Sequence, residues 1–300
     1  MTPTILLLGR NGQVGWELGS ILPTVGLLKA CGRGEFPIGP DSLSEFLDNL
    51  KPSVIINSAA FTAVDLCESQ PIEATLVNVT LPGILASWAA RNDCLLIHYS
   101  TDYVFDGAKD APYLETDTPN PLNFYGRSKL EGERLISELA PKHLIFRTSW
   151  VYSLLGKNFP KTILKMAQSQ DRLTVNDEQI GAPTPAAFIA AVTLVAIKIY
   201  LTSSDAPTGL YHLTPTGSVT WHDFARQIIS QARLLGWPLS PELPILFPSY
   251  GPDPTRPAVR PINSRLDTSK LTADFGVYPP DWSYFFERFM LTLKTLSLPS

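Results

Sequence analysis

The amino-acid sequence predicts an α/β protein: a doubly wound parallel sheet of the Rossmann type, followed by a smaller C-terminal substrate lobe. Three observations predict it. In the first half, short runs that are apolar at nearly every position alternate with longer helix-like stretches, as expected of strands covered on both faces. A glycine-rich turn stands between the first apolar run and the first helix. After about residue 150 the texture changes to helices separated by a proline-rich stretch.

Taken in order, strands are expected at residues 4–9, 27–31, 53–58, 94–100 and 143–148, and helices at 13–22, 42–50, 71–91 and 125–139. In the second half, 159–168, 185–201, 219–235 and 282–296 read as helices. The segment 237–261 reads as irregular, because each proline removes a backbone donor. The expected division is a cofactor domain over 1–153 and a substrate lobe over 154–300, with 173–175 and 209–213 as segments that return to extend the sheet. There is no internal repeat and no low-complexity tract.

Composition limits the function classes. With 44% hydrophobic and 17% charged residues, the 300-residue chain has the makings of a sizeable core. A net charge of −4 argues against a nucleic-acid partner, which requires a dense basic face. The apolar runs look too short for a bilayer. The three cysteines, Cys31, Cys67 and Cys94, have no metal-like spacing and suit a reducing cytoplasm. No metal is expected.

The chemistry begins at Gly9-Arg10-Asn11-Gly12-Gln13-Val14-Gly15. Glycines at 9 and 12 permit a tight turn whose N–H groups approach a pyrophosphate, and Gly15 lets the helix pack on the strand. The helix N-terminus adds partial positive charge. After the second strand the chain reads Cys31-Gly32-Arg33. The Arg33 guanidinium suits a 2′-phosphate, and no carboxylate is in place to repel it, so NADPH is favoured, with NADH left open.

Tyr125-Gly126-Arg127-Ser128-Lys129 sets a tyrosine and a lysine four residues apart at the start of a helix, on one helical face. A nearby ammonium is expected to lower the phenol's pKa and make it a proton donor–acceptor. The preceding strand ends Ser100-Thr101-Asp102, beyond the carboxyl end of the sheet where ligands lie. Thr101 is the chosen second donor to a substrate carbonyl oxygen. His98 reads as a satisfied core histidine.

These residues together resemble the extended short-chain dehydrogenase/reductase superfamily and, within it, the dTDP-4-dehydrorhamnose reductase family. The similarity runs along the chain through GRNGQVGWEL, NSAAFTAVDLCES, Val77-Asn78, IHYSTDYVFDG, NFYGRSKLEGE, RTSWVY, GKNF, GAPT, GLYHL and RPINSRLDT. The resemblance implies reduction of the 4-keto group of a dTDP-sugar by NADPH, with Tyr125 and Lys129 as the catalytic pair. It implies that Gly12, Gln13 and Val14 lie on the pyrophosphate, that Ala60, Phe61, Thr62 and Tyr99 border the cofactor, and that Thr101, Asp102 and Trp150 meet the sugar. Lys157, Asn158, Phe159, Arg256, Arg260 and Asn263 are candidates for the nucleotide end of the substrate. Two departures bear on cofactor preference: Phe36-Pro37-Ile38 and Gly32 stand where relatives often carry acidic residues.

Two rival functions share these features. Sugar-nucleotide epimerases and dehydratases keep the same Thr–Tyr–Lys set, but dehydratases add an acidic pair after the threonine, where this chain has Asp102-Tyr103. A non-catalytic NADP-binding regulatory subunit would also keep the fold. A homodimer, using Glu17 and the C-terminal helix, is open.

Overall fold

The structure is a computed structural model that describes residues 2–239, 245–251, 253 and 255–297. Its first half alternates β1 (Thr4–Leu8), α1 (Gln13–Ile21), β2 (Leu27–Cys31), α2 (Pro40–Leu50), β3 (Val54–Asn57), α3 (Val64–Ser69), α4 (Pro71–Thr75), α5 (Leu81–Arg91), β4 (Leu95–Thr101), α6 (Phe124–Leu139) and β5 (His143–Thr148). The second half contains β6 (Val151–Tyr152), α7 (Phe159–Ala167), β7 (Arg172–Asn176), β8 (Ile180–Gly181), β9 (Thr184–Pro185) and α8 (Ala186–Thr202). It continues with β10 (Gly209–His212), β11 (Val219–Thr220), α9 (Trp221–Leu234), β12 (Ile245–Ser249), α10 (Ser269–Phe275) and α11 (Trp282–Ser297).

Six parallel strands form the central sheet in the order β10-β5-β4-β3-β1-β2. The strand order reverses beside β1 and β3, so the carboxyl ends of these strands open a crevice suited to a ligand. The continuous apolar runs have a simple cause. Along β1, Ile5 and Leu7 face a core with α1 and α8, while Leu6 and Leu8 face a core with α2, α5 and α6. A third core, with Phe224, Trp282 and Phe286 at its centre, joins α7, α9, α11 and β7 into the smaller lobe.

Two expectations about the second half are corrected. Residues 173–175 lie in β7, which does not extend the central sheet; β7 pairs in parallel with β12 in a separate two-stranded sheet. β12 itself lies inside the stretch expected to be irregular, and it accommodates Pro248 opposite Val175. A two-stranded ladder leaves each strand an unpaired edge, which tolerates a missing donor. Part of that stretch, residues 240–244, 252 and 254, lies outside the described residues.

The membrane expectation also needs correcting. Pro71–Arg91 runs as one 21-residue helix, α4 passing through a π-turn at Leu76–Thr80 into α5, and by length and composition it could cross a bilayer. Here Leu81, Leu85, Ala86 and Trp88 are buried against the sheet, as in a core helix.

Candidate active site

The crevice is built from the first turn inward. Gly9 has φ +88°, and a Cβ there would sit 2.6 Å from the Ala59 nitrogen; a Cβ on Gly15 would sit 2.1 Å from the Gly9 carbonyl. Both glycines are therefore demanded by backbone crowding. Gly12 differs: it has an ordinary φ, and a Cβ would meet nothing closer than 3.3 Å. What glycine leaves there is an open face at the N-cap of α1, whose cap makes no side-chain hydrogen bond to the first-turn N–H groups. That is a cradle for a phosphate group. Gln13 closes one side of it. Its amide donates to the Val151 carbonyl at 3.3 Å and accepts from Asn158 Nδ2 at 3.0 Å, tying the glycine turn to the smaller lobe. Val14 packs on the core beneath.

At the end of β2, Arg33 is exposed. The premise that this corner lacks a carboxylate is corrected by Glu35. Its side chain accepts from the Gly32 N–H at 2.9 Å and from Arg10 at 2.5 Å. The Gly32 bond, aided by Arg10, holds the Glu35 carboxyl below its usual range. Arg10 thus offsets the one charge that would oppose a phosphate beside Arg33.

Beyond β3, the segment Ala60–Thr62 is fixed by a residue that motif reading did not assign. Asn78, fully buried in the π-turn, accepts from the Phe61 N–H at 2.9 Å and donates to the Phe61 carbonyl at 3.1 Å and to Ser128 Oγ at 3.0 Å. It therefore locks the loop after β3 to the helix that carries Ser128. The signal for it was an asparagine flanked by valines, Val77 and Val79, in a largely apolar helix; π-turns often mark such functional positions.

Helix α6 starts at Asn123, which caps Gly126 N–H at 2.8 Å and donates to the Val259 carbonyl from the far lobe. A Cβ on Gly126 would come 2.1 Å from the Tyr103 carbonyl, so glycine there lets the helix start lie against the β4 end. Tyr125 follows, partly buried, with the Tyr103 ring edge-on at 5.8 Å. Burial pushes the Tyr125 phenol above its ordinary pKa, and a hydrogen bond with the Thr101 hydroxyl pulls the other way. The expected lowering by Lys129 is thus absent from the protein groups that act on Tyr125. The phenol is protonated at neutral pH, the form a proton donor needs.

Lys129 is 1% exposed. Its ammonium position lies 2.6 Å from the Tyr99 carbonyl and 2.8 Å from His98 Nε2. Burial lowers the Lys129 amine to about 7. Tyr99 offers this carbonyl to the site, but its phenol turns away to Thr193 Oγ1 at 2.8 Å on α8. Thr101 Oγ donates to Asp102 Oδ1 at 3.1 Å, and burial raises the Asp102 carboxyl to about 7. Ser100 Oγ and Asp102 Oδ2 are buried without a hydrogen-bond partner. Orphaned polar atoms at strand ends mark a place where a polar ligand belongs.

The other side of the crevice comes from the smaller lobe. Trp150 has φ +48° and stacks on Trp221 with ring centres 3.4 Å apart. Backbone strain of this kind costs about 1–3 kcal/mol and persists where the surroundings fix it. Gly181 is part of that fixing, since a Cβ there would meet the Trp150 ring at 2.7 Å. Asn158 caps α7 and is committed to Gln13, Ser153 and Lys161. Arg260 makes a two-pronged contact with Asp65 of α3, at 2.6 and 3.1 Å. Asn263 holds the Lys109 and Ala111 carbonyls, and Arg256 pairs with Asp253. The structure therefore brings Tyr125, Thr101 and Asp102 together, sets Lys129 one turn along α6 against Tyr99 and His98, and gives Asn158, Arg260 and Asn263 structural partners of their own.

Comparison with known proteins agrees with this geometry. The family model for the RmlD substrate binding domain matches residues 3–295. The dTDP-4-dehydrorhamnose reductase of Escherichia coli K12 is 44% identical over 97% of this chain and 98% of its own length. A Bacillus subtilis spore coat polysaccharide biosynthesis protein, SpsK, is 34% identical over 93% of each. Among solved structures, a Clostridium acetobutylicum dTDP-4-dehydrorhamnose reductase superposes with a TM-score of 0.88 at 34% identity, covering 97% of this chain and 99% of its own. A Bacillus anthracis dTDP-4-dehydrorhamnose reductase in complex with NADP also gives 0.88, at 29% identity, covering 97% and 100%.

Proposed function

The chain belongs to the RmlD family of dTDP-4-dehydrorhamnose reductases, and from that premise we propose that it reduces the 4-keto group of dTDP-4-dehydro-L-rhamnose to give dTDP-L-rhamnose, using NADPH. What supports this reading is the placement of Tyr125 in the first turn of α6 beside Thr101 at the carboxyl end of β4, with Lys129 one turn further along the same helix. The open Gly12 face and the helix α1 N-terminus fit a pyrophosphate, and Arg33 with Arg10 fits a 2′-phosphate.

When bound, the dihydronicotinamide supplies a hydride to the sugar carbonyl carbon. The chain's own groups handle the oxygen. Tyr125 directs its hydroxyl at it, Thr101 does the same once its hydroxyl turns from Asp102, and Tyr125 passes its phenolic proton to the oxygen as negative charge builds there. Asp102, whose carboxyl burial raises to about 7, is protonated in about half the molecules near neutral pH, which lessens its repulsion of that charge. Trp150, held by Trp221 and Gly181, is a rigid apolar wall on which a sugar ring can pack and from which water is excluded. Tyr103 stands where a dehydratase would carry the second member of its acidic pair, and it packs its ring on Tyr125.

The deciding experiment measures NADPH oxidation with dTDP-, UDP- and GDP-4-keto-sugars. Turnover restricted to the dTDP-4-keto-6-deoxy sugar is expected; tightly retained NAD and no net oxidation would instead indicate an epimerase. The same reading extends to a cytoplasmic setting, supported by three buried free thiols, and to a second copy of the chain as partner. Exposed Trp16 beside Glu17 and Leu291 on α11 support that pairing. Sedimentation at micromolar concentration would show a monomer if it is wrong.

A further inference from the structure

One buried chain of polar groups leads to Lys129 and is not used by the reading above: Ala59, Asn57 and His98, running from β3 across β4 toward α6. Asn57, His98 and Lys129 are each no more than 1% exposed. The Ala59 N–H donates to Asn57 Oδ1 at 3.2 Å, which fixes the orientation of that amide. Asn57 Nδ2 then faces His98 Nδ1 at 3.1 Å. An amide nitrogen is only a donor, so His98 Nδ1 accepts. A neutral imidazole has a single N–H, which must lie on Nε2, aimed at Lys129 Nζ 2.8 Å away.

A donor aimed at Nζ is satisfied only by the lone pair of an uncharged amine. The amine's own N–H donates to the Tyr99 carbonyl. We propose that Asn57 and His98 form a tautomer lock, a pair of positioning residues that sets how tightly Lys129 holds a proton. Binding a proton at Nζ consumes its lone pair. The imidazole must then move its hydrogen from Nε2 to Nδ1 by exchange with solvent, and Asn57 must turn its amide over and release Ala59. The lock therefore opposes the ammonium form. Burial keeps His98 far from being protonated itself, so it stays the neutral partner that this scheme requires.

The other charged and titratable groups around Lys129 do not replace this control. Glu133, one turn further along α6, favours the ammonium, but its two oxygens are committed to Arg147 of β5 at 2.9 and 2.6 Å. Tyr125 on α6 is an uncharged phenol near neutrality. The inference rests on the reading of Tyr125 and Lys129 as the proton-handling pair, since that is where the lock would be felt.

The test is Asn57→Asp. A carboxylate accepts from Ala59 as before but cannot donate to Nδ1. His98 must then carry its hydrogen on Nδ1, and Nε2 becomes an acceptor for an ammonium. The basic limb of kcat/KM for ketone reduction is expected to move up by about one pH unit or more. Nitrogen-15 spectra of the imidazoles, with His98 assigned through His98→Gln, are expected to show His98 as the Nε2–H tautomer in the wild type and Nδ1–H in the variant. A wild-type His98 in the Nδ1–H form overturns the proposal without any variant. So does a folded Asn57→Asp protein whose pH profile coincides with the wild type. A wild-type chain with no reductase activity would overturn the catalytic reading and leave the tautomer result standing.

Discussion

Two ion pairs hold the two sides of the active-site crevice, and they have little in common beyond geometry. Glu133 and Arg147 join helix α6 to β5, with side chains 5% and 3% exposed. Asp65 and Arg260 join α3 to the loop of the smaller lobe, with 37% and 14% exposed. Both are two-pronged. In the first, Arg147 also lies over the Phe105 ring at 5.0 Å, and neither charge has water to fall back on. In the second, the half-exposed carboxylate is held below its usual pKa mainly by its hydrogen bonds to Arg260, and solvent screens the pair. The side that carries Tyr125 and Lys129 is built from buried, mutually committed groups. The side that carries Arg260 is tied down with more exposed, replaceable contacts.

The largest expected effect lies on the buried side, at the phenol itself. Tyr125→Phe should leave NADPH binding within a few-fold of wild type and lower kcat by about 10²–10⁴, the usual contribution of a general acid. A loss of less than tenfold would move the donor role to Thr101 or to solvent and remove the reason for so much burial around α6.

Next comes the ion pair on that side. Glu133→Gln keeps the shape and strands a buried guanidinium, so stability should fall by about 3–5 kcal/mol, read from urea unfolding. Replacing both partners with methionine should recover most of that loss, because the penalty comes from the unpaired charge. If the single variant costs under about 1 kcal/mol, the contrast between the two pairs is wrong.

The same contrast explains what the sequence disclosed. The sheet was readable because the inner strands of the first half are buried on both faces, so burial alone made apolar runs, as at residues 54–56 and 95–97, whereas the edge strand β2 is partly exposed. The glycine turn and the Tyr125–Lys129 spacing were readable because their chemistry is local. Asn78, Glu35 and the His98–Lys129 contact were not assigned, because each acquires its role only through a partner on another element. β12 was hidden by its proline, and α3 by having only six residues, too few for a helical period to show. Least readable of all were the ties across the crevice, Gln13–Asn158 and Asp65–Arg260, separated by 145 and 195 residues. No local pattern encodes a pairing at that distance.

A smaller effect is expected from Asp102, which lies between the two sides. Its carboxyl is raised from 3.8 to about 7 by burial. Between those values the unfolded chain releases this proton and the folded chain keeps it, so the group's contribution is fully present below pH 4 and is lost as pH rises toward 7. Asp102→Asn removes that slope. The stability of the variant relative to wild type should increase by about 2 kcal/mol between pH 5 and 7. A constant difference across that range would mean that Asp102 is ionised in the folded protein.

The smallest effect on stability is expected at the half-exposed pair, and it is also where the comparison can be sharpened most. Asp65→Ala and Arg260→Ala should each cost about 1 kcal/mol or less, as screened pairs do. Their effects on catalysis should differ. If Arg260 serves only to hold the lobe over α3, both substitutions remove the same tie and raise the KM for the sugar nucleotide to the same small extent. If Arg260 also contacts the substrate diphosphate, Arg260→Ala should raise KM by about tenfold, close to one lost charge-assisted hydrogen bond, whereas Asp65→Ala frees the guanidinium and should leave KM unchanged or lower it. The ratio of the two KM values therefore separates a strap from a ligand contact. The expected outcome is the unequal one, because Arg260 lies close enough to Tyr103, beside Tyr125, for its charge to act on that phenol.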